Sequence, residues 1–84
     1  MGLSETVALM NSEDYKDRFI GEYAQLMIRI NGLSKMLDNW DKGTLVFEPK
    51  ASHETLTMQL FHMEKYANML MLRADAESIE LPNI

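Results

Sequence analysis

Apolar residues recur along the first half of the chain at alternating steps of four and three residues. The series runs without interruption through Phe19, Tyr23, Leu26, Ile30, Leu33, Leu37 and Trp40. Only a helix brings positions with this spacing onto one face. We therefore predict a long helix from about residue 13 to residue 41, with Ser12 as its N-cap and Gly43 at its end. Asn31 and Gly32 are the place where a bend or break would fall, but the unbroken apolar spacing across them favours a continuous helix. A glycine there would also let another backbone approach.

A second helical segment, predicted from about residue 53 to residue 78 with Ser52 as its N-cap, is apolar on two opposite faces. At about 100° per residue, one face carries Leu56, Leu60, Met63, Ala67, Leu70 and Ala74. The opposite face carries Met58, Phe61, Met69, Leu72 and Ala76. One face can pack on the first helix, and the other needs the N-terminal segment, another subunit or both to cover it. We therefore expect a homo-oligomer whose interface is this second set of residues.

The remaining segments are short. Residues 1–11 form an N-terminal appendage in which Ser4 would cap a turn or two of helix, too short to be stable unless it docks. Translation could also start at Met10, in which case residues 1–9 would be a variable extension. Residues 42–52 form a connector with a β-prone stretch at 44–47, whose Leu45 and Phe47 are expected to fold back over the open end of the hairpin. Residues 82–84 form a tail, because Pro82 disfavours helical geometry in the residue before it.

The predicted fold is therefore all-α. It is an antiparallel helical hairpin of two long helices (residues 12–81) with a short N-terminal helical segment, assembled into a homo-oligomer. A chain of 84 residues without cysteine has neither disulfides nor thiolate metal sites to stabilise it, and oligomerisation is the usual alternative. The formal net charge of −5 argues against a general nucleic-acid binder. No apolar run approaches the roughly 20 residues that span a bilayer.

Signs of catalysis or of a cofactor are lacking in the sequence. His53 and His62 do not have the spacing of a metal-ligand pair, and we expect His53 to be an exposed residue of the first turn. No serine lies in a nucleophile-elbow signature. We therefore expect a protein that is not an enzyme and that needs neither a metal nor a cofactor.

Polar residues share one edge of each predicted helix, and they support three interpretations. The edges could form a ladder of solvent-exposed ion pairs, or contacts that select partners between subunits. Alternatively, they form a groove in which arginines hold an anionic or nucleotide-like ligand and tyrosines supply stacking faces. The candidate ligand-binding residues under the last interpretation are Tyr15, Arg18, Gln25, Arg29, Gln59, Tyr66 and Arg73.

From Met10 to Leu81 the chain resembles a family of small bacteriophage and prophage proteins of gut bacteria that is related to a crAss-like phage protein. The resemblance lies in the segments Asp14–Phe19, Gly43–Pro49 and Glu77–Leu81, together with Glu22, Tyr23, Gln25, Leu26, Leu56, Gln59, Met63, Tyr66, Leu70, Arg73 and Ala74. It implies a viral or prophage origin and a helical hairpin. Since the sequence also shows no membrane-spanning run and no secretory signal pattern, we expect the protein in the cytoplasm of the bacterial host cell. The resemblance does not imply a particular activity.

The chain is more loosely similar to the helical-hairpin phage proteins that act as sponges for immune cyclic nucleotides. The shared element is a charged helix, a loop and a second helix with spaced Leu, Gln, Met and Arg-Ala. In those proteins an aromatic residue and basic residues hold the ligand, and the corresponding positions here are Tyr15, Arg29 and Arg73. The similarity implies an anti-defence protein that sequesters a cyclic nucleotide or a cyclic ADP-ribose-like second messenger.

Two other hypotheses remain open at the level of the sequence. The chain could be a protein-binding inhibitor of a host defence effector such as a CRISPR nuclease, whose nucleic-acid groove the acidic surface would occupy. It could also be a structural accessory protein of the phage that makes only helix–helix contacts.

Overall fold

The computed structural model describes residues 1–84, and all its regular secondary structure is helical. A 3-10 turn at Leu3–Glu5 leads into α1 (Thr6–Met10), which is followed by the long helices α2 (Tyr15–Asp41) and α3 (His53–Ala76). The beginning of α2 lies beside the end of α3, where the Tyr15 hydroxyl donates a hydrogen bond to Glu77. The two long helices are therefore antiparallel, which confirms the predicted all-α hairpin.

The core forms where the predicted apolar stripe of α2 meets one face of α3. Every residue of the α2 stripe is at least partly buried, and so is every residue of the α3 stripe from Leu56 to Ala74. The central buried cluster consists of Phe19, Tyr23, Leu26, Ile30, Ala67, Leu70, Ala74 and Ile79. Two of the three α3 residues in this cluster are alanines, whose small side chains leave room for the large α2 side chains.

The start of α2 differs from the prediction by two residues. Asp14 is the N-cap, and its side chain accepts a hydrogen bond from the backbone N–H of Lys16. The predicted N-cap Ser12 was wrong, because its hydroxyl accepts from the backbone N–H of Asp14 and donates to the Asp17 carboxylate. Both residues serve the same helix end, with Ser12 positioning the residue that caps it.

The other helix ends have recognisable caps. Gly43 adopts a positive φ of 73° directly after α2, as predicted, and the amide of Thr44 donates to the carbonyl of Asn39. Ser52 caps α3 through the backbone N–H of Thr55, again as predicted. The helix α3 ends at Ala76, two residues before the expected end, because Ser78 takes a positive φ of 56° and so stops it.

The connector forms no strand, although its residues 44–47 are β-prone. Leu45 is half-buried, but Val46 and Phe47 leave 95% and 56% of their surface exposed, so the connector covers the end of the hairpin only in part. His53 is half-buried rather than exposed as predicted. Its Nε2 lies 2.7 Å from a carboxylate oxygen of Asp41, and its ring meets the Trp40 ring edge-on.

The N-terminal segment packs on α2 and not on the free face of α3. Thr6 is fully buried, and its hydroxyl donates to the Leu3 carbonyl and accepts from the Gln25 side chain. The close approach occurs at Gly21, where a Cβ would lie 3.0 Å from the Leu9 Cβ. At Gly32 no other part of the same chain lies within 4 Å of the corresponding position. The sequence contains both glycines, but only packing decides which one is needed.

Candidate ligand-binding groove

One side of the hairpin carries a polar groove between α2 and α3. On α2, the positions 15, 18, 22, 25 and 29 recur at steps of three and four residues and so share an edge. Tyr66 and Arg73 on α3, and Glu77 directly after its end, lie on the edge that faces them. From Tyr15 to Arg29 this edge is roughly 21 Å long at 1.5 Å per residue. We call this surface the polar groove.

Three side chains form a closed cluster at one end of the polar groove. The Tyr15 hydroxyl donates to Glu77 Oε1 at 2.7 Å and accepts from Arg73 Nη2 at 2.9 Å. Arg73 Nε donates to Glu77 Oε2 at 3.3 Å, and the guanidinium lies 5.0 Å from the centre of the Phe19 ring. The charge of Arg73 is therefore balanced by Glu77 in this structure.

The cluster shifts two pKa values. The hydrogen bond to Glu77, followed by partial burial and the carboxylate charge, raises the pKa of Tyr15 above its ordinary value. For Arg73, partial burial disfavours the charged form, but the neighbouring Tyr15 and Glu77 outweigh it, and the pKa rises. At neutral pH the cluster thus contains a neutral phenol and a guanidinium cation.

A concave surface of about 210 Å³ lies further along the polar groove, and it contains both polar and apolar groups. Its lining residues are Met10, Glu22, Gln25, Leu26, Arg29 and Tyr66. Gln25 is held in place by its hydrogen bond to Thr6. Arg29 is exposed and forms no salt bridge or side-chain hydrogen bond, in contrast to Arg73. The surface thus combines an unpaired cation with an aromatic ring that is 45% exposed at Tyr66.

The structure therefore divides the predicted site residues into separate groups. Gln25, Arg29 and Tyr66 line the concave surface, while Tyr15 and Arg73 belong to the cluster at the end of the groove. Arg18 donates to the carbonyl of Ser12 and so holds the segment that enters α2. Gln59 is exposed and lines none of the concave surfaces.

Two carboxylates in the polar groove were not among the predicted site residues. Glu22 lines the concave surface, and Glu77 closes the cluster. The step of four residues from Arg73 to Glu77 could have predicted the ion pair between them, because side chains at that spacing meet on a helix surface. The contact of Glu77 with Tyr15 could not be read from local spacing, because 62 positions separate the two residues.

Ion pairing does not extend along the groove. Arg73 with Glu77 is the only salt bridge there, since the other two join Lys42 to Asp38 and His53 to Asp41 at the opposite end of the hairpin. In this structure the two edges therefore hold one ion pair. No group of three or more His, Cys, Asp or Glu residues has a geometry that could hold a metal ion.

The predicted interface residues lie on the face of α3 that is turned away from the core. Met58, Phe61, Met69 and Leu72 expose between 48% and 64% of their surface, and Ala76 is exposed as well. Because the N-terminal segment packs on α2, no part of the chain covers this face. None of the helices has the combination of length and apolar composition that crossing a membrane requires.

Comparison with known protein families gives one finding that bears on function. The family model described as Sequestin matches residues 13–76, which include both long helices and the connector between them. All seven candidate ligand-binding residues lie inside the matched segment. No curated protein and no solved structure matches the chain.

Proposed function

This chain belongs to the Sequestin family, and from that premise we propose that it is a phage anti-defence protein that retains a nucleotide immune second messenger. The family name itself suggests a sequestering, binding role. The finer proposal is that the protein acts without catalysis and that its ligand is a cyclic nucleotide or a cyclic ADP-ribose-like molecule.

The observation that carries this proposal is the unpaired Arg29 beside Tyr66 in the concave part of the polar groove. A guanidinium offers a fork of donors that suits a phosphate, and a tyrosine ring offers a face for a base. Gln25 supplies amide groups, and Glu22 can accept hydrogen bonds from ribose hydroxyls. A phosphate, a base and a sugar would each meet a suitable side chain there.

The size of the concave surface argues that one protomer provides only part of the site. Its volume is about 210 Å³, whereas pockets for small molecules usually measure roughly 300–1,000 Å³. The uncovered apolar face of α3 provides a surface through which a second protomer could bring further walls. We therefore place the site in pockets of a helical homo-oligomer.

The cluster at the end of the groove provides a second anchor in this proposal. Arg73 would hold another anionic group of the ligand once Glu77 has moved away, and Tyr15 would remain as a donor and a stacking surface. The ligand would thus exchange with an internal carboxylate for the same guanidinium.

A thermal-shift series with cyclic dinucleotides, cyclic trinucleotides and cyclic ADP-ribose variants tests the proposal. A ligand present at about 100 times its Kd stabilises the folded state by roughly 2.7 kcal/mol. For a domain of this size that corresponds to a Tm increase of roughly 10–20 °C. Arg29→Ala and Arg73→Ala should abolish the increase without lowering the Tm of the free protein by more than a few degrees. Lys50→Ala, which removes an exposed cation outside the groove, is the matched control.

One alternative has observations in its favour. A net charge of −5, with Val46 and Phe47 exposed on the connector, suits a protein-binding inhibitor of a host defence effector such as a CRISPR nuclease. A flat response to every nucleotide in the series, together with capture of a nuclease in a pull-down, would favour this alternative over sequestration.

A further inference from the structure

The exposed face of α3 has a spacing that reads the same in both directions along the helix. Met58, Phe61, Lys65, Met69 and Leu72 follow one another at steps of 3, 4, 4 and 3 residues. All five side chains are exposed. In an antiparallel copy centred on Lys65, Met58 would lie opposite Leu72 of the second copy, and Phe61 would lie opposite its Met69. Apolar side chains would then meet along four turns of helix.

We propose that two copies of this chain associate through this face, as an antiparallel and two-fold symmetric pair of α3 helices with the axis at Lys65. A symmetric dimer needs a surface that is complementary to itself, and the palindromic spacing satisfies this requirement. The proposal rests on the proposed function, because it states how the oligomer required there is built.

The exposed area is sufficient for a weak, reversible dimer. The four large apolar side chains leave between 48% and 64% of their surface exposed. With about 200 Å² for a large side chain, they contribute roughly 430 Å² per protomer. A patch of this size is within the range of functional surfaces on monomers. Two such patches together bury roughly 860 Å², which lies in the range of weak or transient interfaces, below the roughly 1,200–2,000 Å² of stable specific ones.

Lys65 lies at the centre of this register, where the charges of the two copies would face each other and lower the stability of the pair. A single lysine among the apolar positions of a helix pair fixes the register and the oligomer size, at some loss of stability. The ammonium group of Lys65 lies 4.8 Å from the centre of the Phe61 ring of its own chain. This cation–π contact draws the charge along the helix, away from the axis where two lysines would meet.

The symmetry has a consequence for the polar groove. A two-fold axis that lies in the plane of the contact places each edge of α3 next to the same edge of the other copy. The edges that carry Tyr66 and Arg73 therefore come to one side of the dimer. The concave surfaces of the two copies, each lying between α2 and α3 of its own protomer, then open toward that side of the dimer, with the pair of α3 helices between them.

Disulfide cross-linking tests this arrangement directly, because the chain has no cysteine of its own. A mixture of Met58→Cys and Leu72→Cys proteins should give a mixed disulfide dimer under mild oxidation. Met58→Cys alone should give none, since the two copies of that position would lie about 21 Å apart along the helices and a disulfide needs Cα atoms within about 7 Å. Val46→Cys, on the exposed connector, provides the rate of random collision.

Sedimentation analysis supplies the energetic part of the test. Leu72→Glu should weaken self-association at least tenfold, and Lys65→Met should strengthen it several-fold. Efficient disulfide formation by Met58→Cys alone would show parallel pairing and overturn the proposal. Mixed cross-linking no faster than that of Val46→Cys would overturn it as well.

These outcomes are separate from those that test ligand binding, because cross-linking needs no ligand. If cross-linking fails while a nucleotide still raises the Tm of the native chain but not of Arg29→Ala, the interface is refuted and the proposed function survives. If the mixed disulfide forms and no nucleotide in the series raises the Tm, the dimer stands and the proposed function is refuted.

Discussion

Gly21 and Gly32 offer a matched pair of substitutions within one helix. An alanine at either position should gain up to about 1 kcal/mol from its higher helix propensity. At position 32 nothing lies within 4 Å of the added Cβ, so the gain should be fully retained. At position 21 the Cβ would lie 3.0 Å from Met10 Sδ and 3.2 Å from the backbone nitrogen of Met10. The sulfur can move, but the backbone nitrogen moves only with the whole N-terminal segment.

The expected difference follows from these contacts. Overpacking in a tight contact costs about 1–3 kcal/mol. The free energy of unfolding of Gly21→Ala should therefore be roughly 1–3 kcal/mol lower than that of Gly32→Ala. Because 1 kcal/mol shifts the Tm of such a domain by roughly 4–8 °C, the two variants are readily distinguished. Urea unfolding followed by circular dichroism gives both free energies. If Gly21→Ala were as stable as Gly32→Ala, the N-terminal segment would not pack on α2 in solution, and the burial of Thr6 would also be refuted.

Two further predictions concern the residues that end α2 and α3 and the cluster around Tyr15. Ser78→Gly should stabilise the protein by roughly 1 kcal/mol, because left-handed backbone geometry costs a non-glycine residue about 1–2 kcal/mol. Gly43→Ala should destabilise it by a similar amount, because Gly43 also has a positive φ. Unfolding midpoints of the two variants that shift in the same direction would contradict these roles at the helix ends. The raised pKa of Tyr15 means that its contribution to stability is present at neutral pH and is lost as the pH rises through the folded-state pKa. Glu77→Gln should therefore lower the pKa of Tyr15, which a titration followed by tyrosinate absorbance would show. Tyr15→Phe identifies which part of the signal comes from Tyr15 among the three tyrosines. If Glu77→Gln left the titration of Tyr15 unchanged, Glu77 would not hold the phenol.

Local patterns in the sequence predicted the main architecture because they depend on helix geometry alone. The alternating steps of four and three residues identified the buried face of α2, and the two apolar faces of α3 were separated correctly. Gly43 and Ser52 were recognised as helix ends, since their roles depend on the conformation of a few neighbouring residues. Ser12 failed as an N-cap because Asp14 lies close enough in sequence to compete for the same role.

Features that depend on contacts between distant segments could not be derived in the same way. The sequence contains Gly21 and Gly32 in similar helical surroundings, and only the path of the N-terminal segment makes the first one necessary. Similarly, the pattern placed Arg29 and Arg73 on the expected edges. It could not show that Glu77 pairs with Arg73 while Arg29 stays unpaired. The candidate groove was thus predictable as a surface, whereas its internal pairing was not.

Native mass spectrometry can show whether this protein retains a nucleotide in a site completed by its oligomer, as we propose, since it reports subunit number and bound small molecules together. The protein would be freshly purified from phage-infected cells with an active nucleotide-based defence. We expect dimers, or assemblies of dimers, that carry additional mass equal to a cyclic nucleotide or cyclic ADP-ribose-like molecule, and Arg29→Ala assemblies that carry none. A folded monomer without added mass from the same cells would contradict this proposal.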